Sequence, residues 1–108
     1  MVRCNASLDG QPYSCDTDGS PTVRGCGWYT EVLHPGNIIT RYCHQLTHPP
    51  VEIGQQVSAG QPIGVVGTSG HSSGPHLHLE IHIGNPATEA NAVDPVSFLR
   101  SVGVAVPT

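Results

Sequence analysis

The segment Gly74–Ile83, which reads GPHLHLEIHI, holds the residues whose types and spacing could do chemistry. Polar and apolar residues alternate in it with a period of two, a pattern that is typical of a half-buried β-strand. One strand face then carries the polar side chains of His76, His78, Glu80 and His82. The other face carries the apolar side chains of Leu77, Leu79, Ile81 and Ile83. Two imidazoles at positions i and i+2 of a strand point the same way and can act together on one metal ion or substrate, and zinc binds neutral imidazole readily. The alternative is a polar strand face that binds no metal.

The overall composition predicts a small domain built from strands and turns. The chain has 108 residues, of which 37% are hydrophobic, with one Trp and one Phe. Thirteen Gly and ten Pro favour many turns and short strands over helices. We therefore expect one mainly β domain over residues 1–108, with a small antiparallel sheet or barrel-sandwich.

The charge pattern argues against two kinds of partner. The formal net charge is −4, and the four basic residues are all Arg. Because the chain has no basic patch to hold a phosphate backbone, nucleic acid is not an expected partner. No apolar run has membrane-spanning length. The N-terminus lacks the charged and apolar regions of a signal peptide, so we expect any export signal to lie before Met1.

The cysteines suggest an oxidising compartment. Their positions are Cys4, Cys15, Cys26 and Cys43. None of them forms a Cys-x-x-Cys pair, which argues against a zinc ribbon. An even number of cysteines in a small domain favours two disulfides in a secreted protein. Four free thiols are the alternative if the protein is cytosolic.

A register argument favours one disulfide pairing. The two predicted strands and the turn between them are residues 28–33, 38–44 and 34–37. If the two ends of this turn face each other, Cys26 and Cys43 lie on the same face within disulfide reach. Cys4 and Cys15 would then pair by elimination and close a polar loop of residues 5–14. A three-residue loop would change the register and weaken the argument.

The rest of the chain reads as short strands, a loop and one helix. Residues 51–67 contain short β runs separated by Gly, as in small biotin or lipoate carriers, but the chain has no Lys for cofactor attachment. Residues 67–74 form a Gly/Ser loop before the histidine strand. Asp94 as N-cap, Pro95 at the first helical position and Gly103 as a stop predict one short C-terminal helix.

Several motifs, in order along the chain, resemble those of the lysostaphin-like (LytM-type) zinc metallopeptidases that cut peptidoglycan. They are Tyr42-Cys43-His44, the glycine-spaced run 51–67, the loop 67–74, Pro75-His76-Leu77-His78-Leu79-Glu80 and Val93-Asp94-Pro95. The resemblance covers about two thirds of the chain, from Gly27 to Leu99, and it implies the small β fold of that family.

The resemblance also implies roles for individual residues. His78, the second His of the His-x-His motif, would bind zinc, with one Zn²⁺ ion expected in the complete domain. His44 and His76 would be catalytic and flank the attacking water and the scissile carbonyl, because an imidazole near neutrality can take a proton from water. Tyr42 would orient His44 or line the substrate cleft. His82 would continue the same row beyond the metal. Three further histidines are expected to be surface or packing residues: His34, His48 and His71.

One part of the family pattern has no counterpart in this sequence. Lysostaphin-like enzymes take two further zinc ligands from a His-x-x-x-Asp motif upstream of the region matched here. No His in this chain is followed by Asp four residues later. We therefore expect the sequence to lack the N-terminal part of the catalytic domain that carries these two ligands.

Three hypotheses about function remain open at this stage. The chain is part of a zinc endopeptidase that hydrolyses peptide bonds in peptidoglycan; or it is a catalytically inactive relative that binds peptidoglycan or regulates a cell-wall amidase; or His44, His76 and His78 together form a rebuilt zinc site. In the first two, the expected partner is the peptidoglycan peptide. The expected location is the cell envelope or the exterior of a bacterium, which agrees with the predicted disulfides.

Overall fold

Six strands form one sheet in the computed structural model, which describes residues 3–104. In chain order the elements are β1 (Cys4–Leu8), β2 (Gln11–Pro12), β3 (Arg24–His34), β4 (Ile38–Gln45), β5 (His78–Ile83), a 3₁₀ turn (Glu89–Asn91), β6 (Ala92–Val93) and α1 (Pro95–Ser101). The strand order across the sheet is β2-β1-β3-β4-β5-β6. The predicted fold class, mainly β with one short C-terminal helix, is confirmed.

The described residues divide into two compact units. The first unit contains residues 3–30 and 42–78, and the second contains residues 31–41 and 79–104. The buried apolar side chains of the first unit are Cys15, Val23, Trp28, Cys43 and Val51. Those of the second unit are Ile39 and Ile81. Within residues 3–104 the structure contains no helix with the length and hydropathy of a membrane-spanning segment.

The N-terminal hairpin corrects one expectation. Residues 5–14 were expected to be a polar loop, but β1 and β2 pair antiparallel, with Leu8 opposite Gln11. Asp9 and Gly10 between them both have positive φ, at 51° and 79°. Two successive left-handed residues are what a tight two-residue hairpin turn requires, and Asp-Gly supplies them at low cost. The expectation was wrong because Asp9-Gly10 forms a hairpin turn that pairs the segments on either side of it.

The central hairpin agrees with the sequence. The predicted strands at 28–33 and 38–44 lie within β3 and β4. Gly36 and Asn37, in the turn, have positive φ values of 84° and 63°. The hairpin is held closed near its other end by a disulfide described below.

The glycine-spaced run is not made of strands. In residues 51–64 the structure has turns, and β structure returns only at isolated bridges of Val66 with Gln45 and of Gly67 with His76. Gly54 and Gly60 have φ of 88° and 83°, which lies outside the β region. The expectation of short β runs here was wrong because these glycines form turns and do not separate consecutive strands.

The histidine strand starts later than expected and does not keep two clean faces. β5 begins at His78, so His76 precedes it. Leu77 and Ile83 are each 52% exposed, whereas His82 is only 2% exposed. The expectation of one apolar and one polar face is therefore wrong at the ends of the segment. The physical reason is that polar groups of residues 88–91 cover His82, as shown below.

The C-terminal helix begins as predicted. The Asp94 side chain accepts hydrogen bonds from the backbone N–H groups of Val96 and Ser97, and Pro95 occupies the first helical position. Such an N-cap satisfies donors that the first turn leaves without partners. Gly103, with φ of 88°, follows the helix end.

Candidate active site

Three histidines of the first unit lie side by side. His44 is near the end of β4, His78 is the first residue of β5, and His76 precedes β5 at its bridge with Gly67. The ring centre of His44 is 5.0 Å from that of His76 and 5.6 Å from that of His78. His76 and His78 are exposed and His44 is buried. The structure thus brings together the three histidines to which the sequence assigned chemistry.

His44 has an unusual backbone conformation. Its φ is +63°, in the left-handed region, although it lies within a strand and is only 7% exposed. Residues other than Gly rarely adopt this region, and when they do in a buried position the surrounding structure must hold them there. Such outliers occur preferentially at functional sites.

Backbone carbonyls fix which nitrogen carries the proton on two of the rings. His44 Nδ1 lies 2.7 Å from the carbonyl oxygen of Ser69, and His76 Nδ1 lies 2.8 Å from that of Gly74. A carbonyl oxygen only accepts, so Nδ1 must donate in both cases. In the neutral rings Nε2 is then the unprotonated nitrogen, which can accept a proton or bind a metal.

The surroundings of His44 favour its neutral form. Burial lowers its pKa, and this effect exceeds the opposing one of the hydrogen bond to Ser69. Nearby His76 and His78 lower the pKa further, because a positive charge on any of these rings disfavours a second one. A buried imidazole that is neutral near pH 7 is suited to accept a proton from water.

The loop of residues 67–74 supports these rings. The hydroxyl groups of Thr68 and Ser72 share a hydrogen bond, and Ser72 Oγ donates to the Gly74 carbonyl at 2.9 Å. Ser72 Oγ is also 3.3 Å from His76 Nδ1. The sequence identified this segment as a Gly/Ser loop but assigned no role to its hydroxyl groups, which are buried at residues 68, 69 and 72.

The predicted disulfides are both present. Cys4 pairs with Cys15 at a Cα–Cα distance of 5.9 Å, and Cys26 pairs with Cys43 at 4.9 Å. The second bond joins β3 to β4 at the residue directly before His44. It therefore braces the backbone at the candidate site.

The donor atoms of the first unit fit zinc in part. His78 presents an imidazole, a ligand that zinc prefers. The Sγ atom of Cys43 lies within 4.8 Å of a ring nitrogen of His78, but this sulfur belongs to a disulfide and cannot act as a thiolate ligand. Within residues 3–104, His44, His76 and His78 do not form a set of three whose ligating atoms all lie within 4.8 Å of one another. Among the described residues, His78 is a candidate zinc ligand by its chemistry.

His82 has a different environment, in the second unit. Its Nδ1 is 2.8 Å from the Thr88 carbonyl and 2.8 Å from Asn91 Oδ1, and its Nε2 is 2.7 Å from Glu80 Oε1. The orientation of the Asn91 amide is fixed, because its Oδ1 accepts from the Thr88 N–H and its Nδ2 donates to the Pro86 carbonyl.

The partners of His82 are therefore acceptors at both ring nitrogens, an arrangement that favours the protonated ring. Burial acts to lower its pKa, but the hydrogen bonds to Glu80, Asn91 and Thr88 outweigh this and raise it. Arg41 also binds Glu80, at 3.0 Å, and its positive charge acts to lower the pKa of His82 without reversing the rise. His82 is thus a buried histidine whose hydrogen bonds favour its protonated form, which the alternation of the sequence did not indicate.

Each of the other histidines contacts a residue outside the group of His44, His76 and His78, as expected of packing residues. His34 Nε2 is 2.9 Å from Thr40 Oγ1, and His71 Nδ1 donates to the Val23 carbonyl at 3.0 Å. The ring of His48 packs edge-on against Trp28, with ring centres 5.0 Å apart. Tyr42 lies in β4 two residues before His44 and is partly exposed.

The sequence is similar to known cell-wall peptidases. Peptidoglycan DD-endopeptidase ShyA of Vibrio cholerae is 40% identical over 72 residues, which are 66% of this chain and 16% of that protein. Lysostaphin of Staphylococcus staphylolyticus is 42% identical over 62 residues, which are 57% of this chain and 12% of that protein. The chain thus spans less than a fifth of the length of these two relatives.

A solved structure has a similar fold. It is the catalytic domain, as a mutant, of the prophage-encoded M23 protein EnpA from Enterococcus faecalis, with a TM-score of 0.59 and 33% identity. The match covers 67% of this chain and 53% of that one. Residues 7–95 match the sequence profile of Peptidase family M23. The resemblance to lysostaphin-like enzymes is confirmed, and the chain belongs to peptidase family M23.

Proposed function

We propose that this chain forms part of a zinc-dependent endopeptidase that hydrolyses peptide bonds in bacterial peptidoglycan. The observation that carries the proposal is the arrangement of His44 and His76. In both rings Nδ1 donates to a backbone carbonyl, which leaves Nε2 available. The ring of His44 lies beside the ring of His76 and beside that of the candidate ligand His78. Similarity to peptidoglycan endopeptidases supports the choice of substrate.

In this proposal His78 holds the metal and the other two rings handle protons. When bound, zinc supplies a Lewis acid that makes water more acidic and polarises the scissile carbonyl. His44 accepts the proton of the attacking water at Nε2, since its ring is neutral and its orientation is fixed. His76 is exposed, so its Nε2 can reach the substrate and stabilise the developing oxyanion once the ring is protonated. Tyr42 lines the cleft beside His44.

We also propose that the two remaining zinc ligands come from residues outside this sequence. No His of the chain has an Asp four residues later. In keeping with the disulfides, we place the protein in the cell envelope or outside the cell.

The lack of a His-x-x-x-Asp motif favours a second candidate function. In it, the domain does not cut peptidoglycan but binds it, or regulates a cell-wall amidase. The two functions differ in whether the chain holds zinc and creates new peptide ends.

Zinc analysis and a hydrolysis assay on the same preparations distinguish these functions. The protein is tested in its longest native form, which includes any ligands that lie outside this sequence. It is dialysed against a weak chelator, its zinc is measured by elemental analysis, and its action on purified peptidoglycan is followed by mass spectrometry of released peptides. The variants are His78→Ala and the control His48→Ala, whose ring packs edge-on against Trp28. About one zinc per molecule that is lost only in His78→Ala, together with released peptides, supports the peptidase. Without zinc or cleavage, co-sedimentation with peptidoglycan or stimulation of a purified cell-wall amidase supports the second function, and absence of all four results contradicts both functions.

A further inference from the structure

We propose that Ser69 is the positioning residue of the site: it holds His44 in its left-handed backbone conformation and fixes the Nδ1–H form of its ring. The catalytic consequence rests on the proposed function, in which His44 accepts a proton. The structural part concerns only contacts within the first unit.

Ser69 makes two contacts with the chain next to the unusual φ angle. Its carbonyl oxygen accepts the hydrogen bond from His44 Nδ1 at 2.7 Å. Its hydroxyl donates to the carbonyl of Gln45, the next residue, at 2.6 Å. One residue thus holds the side chain of residue 44 and the backbone that follows it. This explains how a non-glycine residue is kept at a φ of +63°.

Ser69 is itself fixed by a third contact. Its Oγ accepts a hydrogen bond from the Trp28 N–H of β3 at 3.0 Å, and the residue is only 3% exposed. A serine hydroxyl has one hydrogen to donate and lone pairs to accept, so both uses are filled at once. Alanine at this position would leave the buried N–H of Trp28 and the carbonyl of Gln45 without this partner.

The close approach of Ser69 to β3 depends on Gly27. A Cβ atom at residue 27 would collide with both the hydroxyl and the carbonyl group of Ser69. Gly27 also has a φ of +68°, which side chains disfavour. Because residue 27 of β3 has no side chain, the strand leaves room for Ser69. This room does not depend on His44.

The chemical result is a ring with only one nitrogen available. Because Nδ1 of His44 donates to Ser69, the neutral ring can accept a proton only at Nε2. A ring free to turn or to change its protonated nitrogen would spend part of its time unable to do so. Small displacements of reacting groups lower rates strongly.

The first test measures the protonated nitrogen directly. Long-range ¹H–¹⁵N NMR spectra of the 108-residue chain without added metal are recorded at about pH 8, above the ordinary pKa of His. We expect His44, assigned by comparison with His44→Ala, in the Nδ1–H form. Ser69→Ala keeps the carbonyl that accepts from His44 but loses the two hydroxyl contacts that hold it in place, so the share of the Nε2–H form should rise. Ser69→Thr, which keeps a hydroxyl group, should restore the wild-type spectrum. Ser73→Ala is the control, because Ser73 is exposed in the same loop.

Two outcomes would overturn the inference. One is an Nε2–H form of His44 in the unaltered chain, a result that holds even if Ser69→Ala fails to fold. The other is an unchanged His44 spectrum in a folded Ser69→Ala chain.

Peptidoglycan hydrolysis gives the second readout. We expect Ser69→Ala to lower kcat by about tenfold or more with little change in KM, because geometry rather than substrate contact is lost. If the protein in its longest native form cuts no peptidoglycan but the NMR results hold, the proposed function fails and the positioning role stands. If the chain is active and the spectra contradict the expectation, the positioning role fails alone.

Discussion

His44 in the first unit and His82 in the second are both buried, yet their surroundings shift their pKa values in opposite directions. His44 is 7% exposed and His82 is 2% exposed. His44 has a carbonyl at one nitrogen and two imidazoles as neighbours, and its pKa is lowered, chiefly by burial. His82 has acceptors at both nitrogens, one of them a carboxylate, and its pKa is raised. The charge of a buried histidine is therefore decided by its hydrogen-bond partners rather than by burial alone.

The comparison also separates two uses of the same side chain. His44 keeps one nitrogen without a proton, which suits it for proton transfer. His82 uses Nδ1 to join β5 to Thr88 and Asn91 and Nε2 to bind Glu80 of its own strand, so it has no nitrogen left for chemistry. The predictions below test this division between a reactive and a structural histidine.

The largest effect is expected from replacing the proton acceptor. Asn tolerates positive φ and can donate from its amide toward Ser69, so His44→Asn keeps the local backbone but removes the base. We expect peptidoglycan hydrolysis to fall by about 10²- to 10⁴-fold. His71→Ala, which changes an exposed ring, is the control and should retain activity. Equal losses in both variants would contradict a special role for His44.

The next effect is on folding rather than activity. His82→Ala leaves the carbonyl of Thr88, the amide oxygen of Asn91 and the carboxylate of Glu80 without their shared donor. We expect the free energy of unfolding to fall by roughly 2 kcal/mol, because the Glu80 side chain is 28% exposed and solvent weakens the pair. Urea unfolding followed by circular dichroism measures this, and the kcat of the folded fraction should stay unchanged. A loss of kcat at unchanged stability would contradict the structural role of His82 and would indicate that this histidine is reactive.

A pH series should show the two histidines acting with opposite signs. The pKa of His82 is higher in the folded chain than in the unfolded one, so its stabilising contribution is present below the ordinary value of about 6.5 and is lost as pH rises through the raised value. The pKa of His44 is lowered, so its contribution is lost as pH falls through the lowered value. Thermal unfolding from about pH 5 to about pH 9 in His82→Gln should lack the decline on the alkaline side. A decline as steep as that of the unaltered chain would show that another group causes it.

The smallest effect is expected at the edge of the His82 network. Arg41 binds Glu31 at 2.7 Å as well as Glu80, but the Glu31 side chain is 35% exposed. Solvent screens such a pair, so Glu31→Gln should cost less than about 1 kcal/mol of unfolding free energy. A loss as large as that of His82→Ala would mean that the network acts as one unit.

Much of the fold could be predicted because its signals are local. Asp94-Pro95 predicts the start of the helix, and the turn residues 34–37 predict the position of the central hairpin. The pairing of Cys26 with Cys43 followed from that hairpin. These features depend on residues a few positions apart, which a single sequence displays directly.

The rest depends on contacts between distant residues. Ser69 meets Gln45 and Trp28 across 24 and 41 positions of the chain. The charge of His82 depends on a turn that alternation within its own strand cannot reveal. The grouping of His44 with His78 was expected from family resemblance alone, since nothing in the spacing of the two residues implies it.

The left-handed backbone of His44 has a consequence for the evolution of this domain. A residue with a Cβ atom loses roughly 1–2 kcal/mol in that conformation, whereas Gly does not. Gly at position 44 would avoid this cost but would also remove the buried imidazole and its hydrogen bond to Ser69. A library sorted only by folding would therefore balance the backbone cost against the contacts of the ring, whereas a library sorted by activity would keep the imidazole.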